Sequence, residues 1–401
     1  MSQHSRTSYT KNSIDLQTPL PVKVLEQSTT DSRDWEYREA DINEIITDPR
    51  IQNIPTFVFA NSDVLRRGAP DLRARLEGYY GMPTDIWSDT QWESNGFFGC
   101  AGDERVRHKT WFRFLIKMVV QRRNKETGYI ETTAFGNPQY DYYWHKMGFF
   151  STWSPKGHQS ILCLDCPPEF VGHIRKSLSS VGGESFHIDP YCFHPFIVGG
   201  VVSTFDTSIW ALRDLVRMTE KNRKRDEKMA DYEDHFDYLH EISRHVNHSG
   251  ETLTVATEVM SKMVHRHGTL LARAESAPDS HRDAIMQVDD NLDFYQGLLF
   301  GFKCRCESMQ QRHQSEISLA QSRAVASDAA AMKAIAGLTI VFLPATFVSA
   351  IFSMSFFESG AEWGLSPKMW IYWVIAIPVT LITVLLLRKG PKGSIMRFFT
   401  F

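Results

Sequence analysis

Cysteine is sparse in this chain. Six cysteines in 401 residues cannot make a disulfide scaffold, and Cys100, Cys163, Cys166, Cys192, Cys304 and Cys306 read as reduced thiols. An excess of positive charge is also missing: 44 Lys and Arg against 47 Asp and Glu leave a net charge of −3, which argues against a nucleic-acid partner. The sequence has no Gly-rich phosphate loop, nucleophile elbow or paired catalytic carboxylates, so nothing at residue level supports an enzyme, and no covalently bound cofactor is expected. The opening MSQHSRTSYTKNSIDLQ lacks the apolar core of a signal peptide. It is rich in hydroxyls and free of acid before Asp15, as a transit peptide would be, but poor in Arg. Residues 1–19 therefore read as a disordered tail.

Two near-motifs fail on spacing. His240-Glu241-Ile242-Ser243-Arg244-His245 sets its histidines five apart, whereas a zinc protease needs them one helical turn apart in H-E-x-x-H. His248 could share a face with His245, but packed or surface histidines are the plainer reading. Cys163-Leu164-Asp165-Cys166 has C-x-x-C spacing without a second pair at zinc-ribbon distance, so it reads as core thiols.

Residues 20–205 look like an α+β domain. Strand candidates fall at Thr56 to Ala60, Val119 to Gln121 with its apolar lead-in, Gln159 to Leu164 and Phe196 to Gly199, with a short helix at Asp71 to Gly78. From Asp206 to Ala277 proline is absent and the apolar spacing becomes helical. Asn247-His248-Ser249-Gly250 reads as a break, with a new helix from Thr252. A third helical stretch runs from about Ser280 with Ile285, Val288, Leu292, Tyr295, Leu299, Phe302, Cys306, Met309, His313, Ile317, Ala320 and Ala324 on a coiled-coil-like seam. It continues past Lys333 without a break signal and leads into an apolar segment, so residues 206–333 read as a long-helix and stalk region.

That segment, Ala334 to Phe357, is 24 residues without a charge. As a helix it reaches about 36 Å, enough to cross a bilayer core of about 30 Å. A second uncharged run spans residues 369–387, after the linking segment 358–368. The mean hydropathy of −0.29 averages this hairpin with a polar body. Arg388, Lys389, Lys392 and Arg397 lie in the tail 388–401, Arg323 and Lys333 precede the first span, and the link carries Glu358, Glu362 and Lys368. The positive-inside bias puts both termini in the cytosol. The plasma membrane is the favoured location and the mitochondrial inner membrane the alternative.

Thr339, Thr346 and Ser353 recur every seven residues, with Leu343 and Ala350 between them and Met332 and Ala336 extending the stripe backward. Such spacing shares one helix face, which continues the stalk seam approximately. If several copies surround that face, hydroxyls and apolar constrictions line a cation path. Equally, the hydroxyls can bond back to their own helix or join helices together.

FLPATFVSAIFSMSFF, the second helix, the basic end and the long stalk resemble the CorA-type magnesium transporter superfamily, most of all its divergent fungal branch. HEISRHVNHSGETL and SEISLAQ…AAAMKAIA share in the resemblance. It implies an α+β cytosolic domain followed by long antiparallel helices, a stalk helix and a two-helix transmembrane hairpin, assembled as a homopentamer in a lipid bilayer. Mg²⁺ or another divalent cation would be the transported ion, and the first membrane helix would line the pore. The family's Gly-Met-Asn motif at the outer mouth corresponds here to Ser353-Met354-Ser355 after Phe352, so only Met354 is kept. Ser355 offers a short hydroxyl where Asn presents a carbonyl on a longer arm. Selectivity would be relaxed, moved to Glu358 and Glu362, or lost. The resemblance also implies a cytosolic Mg²⁺ sensor, to which no residues are assigned. The alternative is a non-conducting relative that acts as a membrane-anchored interaction module.

Overall fold

The computed structural model describes residues 20–28, 34–47, 54–67, 70–103, 106–123, 130–132, 142–156, 159–179, 188–226, 232–273, 278–353 and 369–389. The elements run β1 (Pro21–Gln27), β2 (Trp35–Asp41), α1 (Ile42–Thr47), β3 (Thr56–Ala60), α2 (Ser62–Arg67), α3 (Pro70–Tyr80), α4 (Asp89–Trp92), β4 (Gly96–Asp103), β5 (Arg107–Val119), β6 (Gln121–Arg123), β7 (Ile130–Thr132), β8 (Tyr142–Trp153), β9 (Gln159–Leu164), α5 (Pro168–Leu178), α6 (His194–Asp226), α7 (Tyr232–Arg273), α8 (Asp279–Phe352) and α9 (Met369–Lys389). They fall into two compact units, Met1–Glu316 and Ile317–Phe401.

The first unit is built on a seven-stranded sheet of order β2-β1-β3-β9-β8-β5-β4. β3 and β9 are parallel and the other neighbours in the sheet antiparallel. Both faces are covered. On one lie Leu72, Leu76, Tyr80 and Trp92 from the short helices; on the other lie Phe170, Phe205, Leu212, Val259 and Leu292 from the longer ones. Burial on both faces removes the alternation that marks a half-exposed strand. The two longest strands, β5 and β8, accordingly gave no clear strand signal over most of their length.

Two expectations are corrected here. Phe196 to Gly199 is not a strand: it lies inside α6, which opens at His194, ahead of Asp206. Its apolar run reflects burial on the sheet, which periodicity alone cannot tell from a buried strand. Nor does the helix break at Asn247 to Gly250; α7 runs through it. A glycine inside a helix costs about 1 kcal/mol, but Val246, Ser249 and Leu253 beside it are buried, and that packing outweighs local propensity. Gly250 also faces α8, where a Cβ would sit 3.6 Å from Cys306 Sγ.

The seam of α8 is buried from Ile285 through Leu292, Leu299, Cys306, Met309 and His313. It is satisfied within the chain. The Cys306 thiol donates to the Val246 carbonyl (3.3 Å) and His313 Nε2 bonds the Leu239 carbonyl (2.7 Å). His267, on α7, bonds Asp189 through Nε2 (2.9 Å) and Asp289 of α8 through Nδ1 (2.7 Å).

Arg113 of β5 is fully buried, and its three guanidinium nitrogens have no hydrogen-bond partner among the described residues. It stacks 4.5 Å from the Trp92 ring centroid. Burial pulls its pKa down to about 10, against the pull of Asp165 and Glu93. A buried cation–π contact contributes about 2 kcal/mol, less than the several kcal/mol that desolvating an ion costs. Arg113→Met is expected to keep the fold and raise the unfolding free energy by about 1 kcal/mol or more, as read from denaturant melts. A lower value would assign Arg113 a stabilising role that its contacts do not account for.

α6 is long and apolar enough over His194–Lys221 to cross a membrane, but 61% of its most apolar window is buried inside the protein. It is a core helix. The corresponding window of α8 is 11% buried, so its apolar surface faces outward.

Candidate cation pathway

In the second unit α9 packs on one side of α8. Val348 and Ala376 are buried there. The Tyr372 hydroxyl donates to the Ala345 carbonyl (3.3 Å) and lies 3.2 Å from Ser349 Oγ. Pro344 interrupts the hydrogen-bond ladder of α8, since it has no N–H for the Ile340 carbonyl four residues back.

A helix turns about 100° per residue. Thr339, Leu343, Thr346 and Ala350 therefore lie on the side of α8 opposite Val341, Ala345 and Val348. All four are exposed, as are Met332, Ala336 and Ser353, with Leu343 at 63% and Met332 at 71% of full exposure. The stripe read from sequence is thus one outward face, clear of α9. It reaches further back than the sequence reading placed it. Ser318, Ser322, Val325 and Ala329 continue the same register, and each is exposed. Arg323, Asp328 and Lys333 fall outside that register. The signal was the same seven-residue recurrence, hidden because this stretch had been assigned to the seam. The register of the buried seam runs on through Ala320, which is half-buried, and Ala334, which is exposed and lies about 200° round the helix from Met332. The stripe therefore does not continue the seam.

The hydroxyls of Thr339, Thr346 and Ser353 bond back into the helix. Thr339 Oγ1 donates to the Ile335 carbonyl (2.9 Å), Thr346 Oγ1 to Leu343 (2.9 Å) and Ser353 Oγ to Ser349 (2.9 Å). The proton is spent inward, and the oxygen lone pairs remain outward, able to accept from water or face a cation. The two readings of these hydroxyls are therefore compatible.

α8 ends at Phe352, and Ser353 forms the following turn. The Ser353 N–H is shared between the Ser349 (3.0 Å) and Ala350 (3.2 Å) carbonyls. Met354, Ser355, Glu358 and Glu362 lie outside the described residues. Among the described residues no cluster of three or more His, Cys, Asp or Glu side chains could hold a metal ion. None of the six cysteines forms a disulfide. In the near-motif, His245 is buried 3.1 Å from Glu241, and His248 bonds Lys117.

The family model described as "CorA-like Mg2+ transporter protein" matches residues 167–389. Among curated proteins, Notoamide biosynthesis cluster protein M' of Aspergillus versicolor is 28% identical over 272 residues, which is 60% of this chain. The match spans 58% of that relative's length. Among solved structures, the complete CorA magnesium transporter of Methanocaldococcus jannaschii superposes with a TM-score of 0.53 at 11% identity, covering 92% of this chain and 98% of that one. At that identity the likeness establishes the fold: an α+β sheet domain, long helices and a terminal helix pair.

Proposed function

The chain belongs to the CorA-like Mg2+ transporter family, and on that premise we propose that it conducts divalent cations, Mg²⁺ foremost, through a homopentamer whose axis is lined by α8. The family is one of integral membrane proteins of divalent-cation-transporter type. The observation that carries the finer reading is the exposed stripe from Ser318 to Ser353, which includes no charged position and is turned away from α9. A lipid-facing helix needs no hydroxyls at heptad spacing, whereas a water-filled axis does.

In this reading the hairpin passes the membrane twice with both termini cytosolic. Glu358 and Glu362 raise the local cation concentration outside, and a ring at Ser353, Met354 and Ser355 meets the ion first. Mg²⁺ gives up water reluctantly, so Thr346 and Thr339 accept hydrogen bonds from its hydration shell. Leu343 and Met332 form the apolar constrictions, with Ala350 and Ala336 leaving width between. A membrane potential drives a dication inward with about 4.6 kcal/mol per 100 mV, twice the single-charge value.

Purified protein in liposomes should pass Mg²⁺, Ni²⁺ or Co²⁺ and run as an oligomer. A stable monomer, or no flux of any of the three, would overturn the proposal. The Ser-Met-Ser mouth favours one second reading, a non-conducting relative. Ser355→Asn separates the two: a channel limited by its filter should gain at least several-fold in Mg²⁺ flux, and a closed scaffold should gain nothing.

A further inference from the structure

Lys117 is 1% exposed in the middle of β5. Its ammonium sits 4.0 Å from the Tyr142 ring centroid and 5.4 Å from that of Trp144, both on β8. Among the described residues its one hydrogen-bond partner is Nδ1 of His248 on α7, at 3.1 Å. An ammonium has three donors and no lone pair, so this bond exists only while His248 Nδ1 is unprotonated. One turn back, His245 is fully buried against Tyr142, with ring centroids 5.4 Å apart, and its Nε2 lies 3.1 Å from Glu241 Oε1. The backbone of Lys117 is held separately, its carbonyl accepting from Ser208 of α6 at 2.6 Å.

We propose that the Lys117–His248 contact is a proton-operated latch between the sheet and α7: closed while His248 is neutral, and opened when protonation of His248 sets a second cation against the caged ammonium. The aromatic faces stabilise one cation by their quadrupoles. Two cations at hydrogen-bond distance in a half-buried site repel strongly, and the imidazolium relieves this by swinging into solvent with its turn of α7.

The surrounding charges agree with this. On α7 the groups facing the contact are Glu241, Arg244, His245, His248 and Glu251; from β5 there is Lys117 itself, and β8 adds the rings of Tyr142 and Trp144. Burial first, and then Lys117, hold His248 below the ordinary imidazole value. Burial, Lys117, Arg244 and His248 push His245 down to about 3, so it stays neutral through the physiological range. Burial and Arg244 lower Lys117 to about 8 against Glu241 and Glu251, so it is charged whenever His248 titrates. A group whose pKa is lowered in the closed state takes up its proton on opening, so acid favours the open state.

Hydrogen exchange of the full-length chain in detergent tests the latch, comparing residues 238–252 at about pH 7.5 and about pH 5.5. After correction for the chemical exchange rate, the opening constant of wild type should rise several-fold on acidification, while His248→Gln should stay flat and Lys117→Met should respond less than wild type, since burial still lowers His248 there. Gln retains an acceptor that does not titrate, and Met removes the second cation. Flat wild-type protection overturns the proposal. So does a folded variant that loosens in acid as wild type does. His248 is half-exposed, so His248→Gln decides the matter even if Lys117→Met fails to fold.

Discussion

His267→Ala should lower the unfolding free energy of the first unit by about 3–5 kcal/mol, the range expected when one partner of a buried ion pair is removed. The His267 and Asp189 side chains are 0% and 1% exposed. Without the imidazole, Asp189 keeps a buried carboxylate beside the Tyr191 N–H (2.8 Å) and loses its cationic partner. The same ring bonds Asp289, so the loss also loosens α7 from α8. The pH dependence adds a signature. Burial works against the charged ring, but the hydrogen bonds and charges of Asp189 and Asp289 outweigh it, and the pKa of His267 is raised. A raised folded-state value means that the bridge contributes fully below about pH 6.5, the ordinary imidazole value. That contribution is lost as pH rises through the folded value. Melts across this range should show wild type losing stability on the alkaline side and His267→Ala lacking that loss. Parallel profiles would mean that the ring is neutral and acts only by packing.

Leu343→Lys should abolish cation flux while Leu343→Asp preserves it. Both substitutions place a charge at the same exposed position of α8, with similar insertion costs, so a lipid-facing Leu343 would respond alike to either. On a pore axis they diverge. One lysine about 5 Å from a dication, at an effective dielectric of about 20, raises the barrier by about 7 kcal/mol, or about five orders of magnitude in rate. An aspartate at the same place is attractive. Liposome flux at matched protein incorporation measures the ratio. Equal behaviour of the two variants would remove α8 from the conduction path and leave the membrane hairpin as an anchor.

Legibility differed sharply between the two units. Where one side of a helix faces outward, the pattern survives in sequence. The recurrence of Thr339, Thr346 and Ser353 was visible in the sequence, and all three side chains are exposed. The 74-residue helix α8 was also foreseen, because neither proline nor a turn cluster interrupts it ahead of Pro344. The sheet was harder. β3 and β9 were readable as short apolar runs, but β5 carries Arg113 and Lys117 inside its buried pattern, and buried charges look like surface in a sequence. Their counterparts, Trp92 for one and Tyr142, Trp144 and His248 for the other, lie on other elements, and no local rule pairs them.

The amino-acid sequence alone determined the uncharged hairpin, its basic flanks, the heptad stripe and the likeness to one transporter family. All of these depend on local composition or on helical period, which are properties of neighbours in the chain. Tertiary structure alone decided which heptad face of α8 is consumed by the protein's own core, that α7 runs through Gly250, and that α6 is core rather than membrane. Those outcomes depend on what packs against each surface. A buried apolar run, a packed glycine and a seam filled by another helix have the same sequences whether or not that partner is there.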